Sequence, residues 1–103
     1  MERRKSSEQR RHQRISATFV TEVFERNRLS GRFMSRNVSA GGMFLETGST
    51  FLAHGDDIEL NVMVFGDRYP MRGRVVHHGP GGVGIKMSRV DAHYYRALMS
   101  MVG

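Results

Sequence analysis

The chain has 103 residues, 39 % hydrophobic and 25 % charged, which is the size and composition of one globular domain with a single modest core. It has no cysteine, so disulfides, thiolate metal sites and cysteine nucleophiles are excluded. No stretch approaches the roughly 20 apolar residues of a membrane span. The opening Met1-Glu2-Arg3-Arg4-Lys5-Ser6-Ser7 has no apolar run behind it and does not read as a signal peptide, so a cytoplasmic protein is expected. The net charge of +6 is unevenly placed. Residues 1–14 hold six basic side chains against two acids, whereas residues 15–103 hold ten against eight. A basic leader on a nearly neutral body is either a solvated tail or an arm that meets an anion.

Residues 1–14 have no apolar side chain after Met1 and cannot offset ordering entropy by burial, so they form a flexible arm ahead of a folded body at 15–103. From Ile15 the pattern changes. Ile15, Ala17, Phe19 and Val23 alternate with more polar neighbours and predict a strand over 15–25. Asn27 to Gly31 reads as a turn, 32–39 as a second strand and Met43-Phe44-Leu45 as a short third. Residues 48–57 form a loop of turn formers. Ile58, Leu60, Val62 and Val64 mark the apolar face of a fourth strand. Gly66-Asp67 is a hairpin signal leading into a fifth strand over 68–78. Gly79-Pro80-Gly81-Gly82 turns the chain into a sixth, at 83–87. Ser88 and Asp91 have capping-box spacing, and Val90, Tyr94, Leu98 and Met101 recur on one helical face, predicting a helix over 89–102. Tyr95, Met99 and Val102 widen that stripe or form a partner surface. The expected fold is mainly β: a six-stranded antiparallel barrel with a C-terminal helix and a flexible N-terminal arm.

Two segments carry candidate chemistry. Arg10-Arg11-His12-Gln13-Arg14 sets guanidinium forks at i and i+4, each able to grip phosphate or a guanine edge and to stack on a base. Asn37-Val38-Ser39-Ala40-Gly41-Gly42 puts two short hydrogen-bonding side chains on one strand face, followed by glycines that permit a sharp turn and an open backbone. Other clusters offer less. His77 and His78 are adjacent on a strand and point apart, and no carboxylates have ligand spacing to them, which argues against a metal. Asp56, Asp57 and Glu59 sit at a strand start, and no base or nucleophile motif accompanies Ser39, which argues against an enzyme.

Together the two segments resemble the PilZ family of bacterial cyclic di-GMP receptors, which pair an N-terminal RxxxR with a downstream (D/N)xSxxG on a six-stranded barrel followed by a helix. Arg10 and Arg14 stand at the arginine positions, with Arg11 able to replace or assist Arg10. Asn37, Ser39 and Gly42 stand at the second motif. Met43-Phe44-Leu45 and Gly82-Val83-Gly84-Ile85-Lys86-Met87 are similar to the strands that follow in the family. Gln13 departs from the family, standing where a proline or aromatic is common.

The resemblance implies a stand-alone, non-enzymatic adaptor needing no cofactor. Its ligand would be cyclic di-GMP, held by Arg10, Arg11, Arg14, Asn37, Ser39 and Gly42. The arm would order over the ligand and signal to an unidentified protein effector, with the chain a monomer or a ligand-dependent dimer. Two alternatives stay open. One is a barrel that binds single-stranded nucleic acid, which needs exposed aromatics such as Phe19, Phe24, Phe33 or Tyr69. The other is a protein-interaction barrel that binds no nucleotide.

Overall fold

The computed structural model describes Ile15, residues 18–48 and residues 52–101. Six strands, β1 (Phe19–Glu25), β2 (Arg28–Ser39), β3 (Gly42–Glu46), β4 (Asp57–Val64), β5 (Asp67–Gly79) and β6 (Gly82–Arg89), precede one helix, α1 (Ala92–Met99). The strands close into a barrel in the order β1-β2-β3-β6-β5-β4, antiparallel throughout. Period-two alternation builds the core. On β4, Ile58, Leu60, Val62 and Val64 are buried, while Glu59, Asn61 and Met63 face outward. Val23, Leu45, Val75 and Val83 reach the same interior from other strands.

Two hairpin turns differ from the sequence expectation. The β1–β2 turn is Arg26–Asn27 (φ 52° and 67°) and the β4–β5 turn is Phe65–Gly66 (φ 52° and 83°). Both are left-handed at each central position, the turn hand that matches strand twist. Sequence reasoning displaced them to 27–31 and 66–67 because Arg and Phe are poor left-handed residues.

The helix is shorter than expected and starts later. Ser88 does not cap it: Ser88 belongs to β6, and Arg89 still pairs with Arg72. The cap is Asp91, whose Oδ1 accepts from the amides of His93 and Tyr94 at 2.8 and 3.0 Å. Val90 therefore lies outside the helix and is exposed, and Tyr94 and Leu98 are the buried face. Tyr94 packs its ring 5.9 Å from that of Tyr69. Burying each such side chain contributes about 1.5–3 kcal/mol, so two residues dock the helix. Tyr95 remains exposed, Met99 packs against the core, and Val102 lies outside the described residues.

On the outer wall, Glu22 links four consecutive strands, β2, β1, β4 and β5. Its carboxylate accepts from Asn61 Nδ2 at 3.3 Å and from Arg32 Nε at 3.1 Å, with Arg68 at 3.6 Å. The Asn61 hydrogen bond, aided by Arg32 and Arg68, holds the carboxyl below its ordinary pKa against the opposing effect of burial.

Candidate functional site

The second motif occupies the end of the β2–β3 hairpin. β2 does not run through it as a regular strand, because the β2–β3 register shifts between Arg36 and Ser39 and Asn37 takes φ 52°. This is a bulge built on a left-handed residue, and Asn is among the few non-glycine residues that tolerate that conformation. The bulge turns both Arg36 and Asn37 outward, sends Val38 fully into the core and leaves Ser39 half-buried. Asn37 and Ser39 are thus both turned away from the core, though a bulge rather than simple alternation sets Asn37's direction.

Ser39 Oγ donates to the Gly42 carbonyl at 3.5 Å across the turn. That turn, Ala40–Gly41, contains no left-handed residue, so its glycines are not there for φ. Gly42 answers a packing demand: a Cβ would strike the carbonyl oxygen of Ile85 on β6. The amide of Met87 donates to the Gly41 carbonyl at 2.9 Å, which ties the turn to the same strand.

Arg10, Arg11 and Arg14 lie outside the described residues. What is described is the point where the body begins. Ile15 is buried and forms a lone antiparallel bridge to Val38, its amide donating to the Val38 carbonyl at 2.6 Å. Val38 stands between Asn37 and Ser39.

Three further side chains share this wall. Arg36 pairs with Glu46 at 3.0 Å and lays its guanidinium 4.6 Å from the centre of the Phe44 ring. Phe44, Gly84 and His77 are successive partners across β3, β6 and β5. A Cβ on Gly84 would meet His77, and one on Gly82 would meet the Phe44 ring. Two rings therefore flank a strip of β6 that carries no side chain. The alternation Gly82-x-Gly84 was the sequence signal for this shelf, but cross-strand pairing was needed to see what lies beside it.

The other candidates have structural partners. Asp57 pairs with Arg74 at 2.9 Å and Glu59 with Arg72 at 3.7 Å, and Asp56 Oδ2 accepts from the Ala53 amide at 2.8 Å. His78 Nε2 is 2.9 Å from the Leu52 carbonyl. Among the described residues no three His, Asp or Glu side chains converge as a metal set. Nor is there among them a helix long and apolar enough to cross a membrane. Phe19 is buried, Phe33 and Tyr69 pack against the core, and Phe24 is half-buried, so these four form no exposed stacking face.

The fold is a closed six-stranded antiparallel barrel followed by one helix, with a polar motif on the β2–β3 hairpin. The PilZ domain family model matches residues 8–103, and the chain belongs to that family, whose members are known as cyclic di-GMP receptor domains. Two solved structures share the fold. The PilZ domain of CeSA from a cellulose-synthesizing bacterium is 17% identical with a TM-score of 0.65, covering 87% of this chain and 94% of that one. The Bacillus subtilis inhibitor of motility, MotI/DgrA, is 19% identical with a TM-score of 0.69, covering 88% of this chain and 48% of that one, so this chain matches about half of it. No curated protein sequence matches the chain.

Proposed function

We propose that the chain binds cyclic di-GMP at the β2–β3 end of the barrel and conveys occupancy to a bacterial protein effector, as a cytoplasmic adaptor without catalysis. The observation that supports this most is the Ile15–Val38 bridge. Arg14 is covalently next to Ile15, so the bridge tethers it within one residue step, about 3.8 Å between Cα atoms, of a residue pinned beside Asn37 and Ser39.

In this reading Arg10 or Arg11, together with Arg14, grips guanine edges and phosphate oxygens in bidentate fashion. Asn37 offers an outward amide to a guanine, and Ser39 adds a hydroxyl whose bond to Gly42 is long enough to exchange. The Phe44–His77 shelf supplies flat surface beside them. The arm orders as the ligand binds, and its new position is the signal. Charge-assisted hydrogen bonds of roughly 1.5–3 kcal/mol each offset the ordering cost.

Calorimetric titration with cyclic di-GMP, GMP, cyclic di-AMP and a short single-stranded DNA, at two salt concentrations, tests the proposal. Saturable binding selective for cyclic di-GMP is expected. Binding only of the DNA, with steep salt dependence, would replace it with nucleic-acid recognition. No binding of any of the four would leave a barrel that works through protein contact alone.

A further inference from the structure

A groove of about 890 Å³ runs along β1, β4, β5 and the C-terminal end of β6. This is within the range of ligand sites, roughly 300–1,000 Å³. Its apolar part is Phe24 and Pro70, the side chains of Leu60 and Met71 being turned into the core behind it, and its polar part carries Asn61, Arg72, Ser88 and Arg89. Two irregularities in the ladder border it. The β1–β2 register shifts between Val23 and Phe24, and the β5–β6 register shifts between Arg72 and Gly73. Bulges of this kind re-aim side chains and gather beside binding sites.

The charges of the groove are placed against the stability of the sheet. Arg72 and Arg89 are direct partners across β5 and β6, and like charges in that relationship repel. Arg72 has only a loose contact with Glu59 at 3.7 Å, its side chain 75% exposed. Arg89 is exposed and has no ion-pair partner among the described residues. Of the two acids in the lining, Glu59 is the one beside Arg72, and Asp91 is occupied in capping α1. The next outward-facing cross-strand pair, Arg74 and Lys86, repeats the like-charge arrangement, and there too only the β5 member has an acid partner. The β6 edge of the groove therefore presents an uncompensated cation, Arg89, with Lys86 the next cation along the strand, outside the groove.

We infer that this groove is a docking site for an acidic, apolar-bearing peptide segment of a partner protein, with a carboxylate held between Arg72 and Arg89 and an aliphatic side chain against Phe24 and Pro70. The carboxylate relieves the repulsion between the two guanidinium groups. Phe24 is the sole aromatic ring in the lining, which favours a peptide over a nucleic acid strand that needs stacking platforms. In the proposed adaptor the groove is the output face, and its binding does not require the nucleotide reading to hold.

The test is an NMR titration of the ¹⁵N-labelled full chain with a capped peptide alternating Glu and Leu. Its controls are the same peptide with Lys for Glu, inorganic phosphate and a short single-stranded DNA. The acidic peptide is expected to shift amides of Leu60, Met71, Arg72 and Arg89 and to weaken by about tenfold in Arg89→Gln. The melting temperature of Arg89→Gln should be unchanged or raised, since a repulsive pair is removed. Arg14→Ala should leave the peptide titration intact while impairing cyclic di-GMP, and Arg89→Gln should do the reverse, which separates failure of this site from failure of the nucleotide site. Shifts elsewhere, equal binding of the Lys peptide, indifference to Arg89→Gln, or tighter binding of the DNA would each overturn the inference.

Discussion

The amide of Ile15 donates to the carbonyl of Val38 at 2.6 Å, and through this hydrogen bond the start of the barrel body touches the residue between Asn37 and Ser39. The two segments that carry the family motif are far apart in sequence, and this bridge places the root of one on the other. Ile15→Pro removes the donor and should weaken cyclic di-GMP binding about tenfold in a calorimetric titration. Ile15→Val keeps the amide and should leave affinity unchanged, with a stability loss of about 0.5–1.5 kcal/mol.

Asn37 combines a backbone duty with a proposed ligand contact, and two substitutions separate them. Asn37→Gly accepts φ 52° without strain, so chemical denaturation should show little change while cyclic di-GMP affinity falls by about tenfold. Asn37→Val should lower stability by about 1–2 kcal/mol, because a β-branched residue resists the left-handed region.

Phe65 is 74% exposed and takes φ 52° at the first position of the β4–β5 turn. It neither buries much surface nor suits that conformation. Phe65→Asn supplies a residue the turn favours and should raise stability by about 1 kcal/mol, read as a shift in denaturation midpoint.

The Glu22 carboxyl titrates below its unfolded value of about 4.3 because Asn61, Arg32 and Arg68 favour the charged form. The stability it contributes is present above that unfolded value and is lost as pH falls through the lower folded value. Glu22→Gln should therefore be less stable than the parent at neutral pH. The gap should close in denaturation curves taken at successively lower pH.

The alternation of apolar residues makes six strands and a helix legible in the sequence, since inside and outside of a small barrel differ at every second residue. Boundaries were lost where one residue serves an unusual backbone. Arg26 and Phe65 occupy left-handed turn positions that composition does not announce. Ser88 has the spacing of a cap but is held in β6 by a strand that reaches Arg89. Asn37, Ser39 and Gly42 are proposed as site residues on a family resemblance and on their place at the β2–β3 hairpin. The packing reason for Gly42 was not legible in the sequence, because contact with Ile85 is a tertiary fact. Arg36, Phe44 and His77 were invisible for the same cause, as was the repulsion between Arg72 and Arg89, which exists only once β5 and β6 are paired.

The central claim is that cyclic di-GMP is held where the Ile15 bridge meets the β2–β3 hairpin. The most direct test is to add it to the ¹⁵N-labelled full chain and follow individual amides. The account predicts saturable shifts at Ile15 and from Asn37 to Gly42, lost in Arg14→Ala, with Arg72 and Arg89 unmoved. Absence of any shift, or shifts confined to Arg72, Arg89 and their groove, would contradict it.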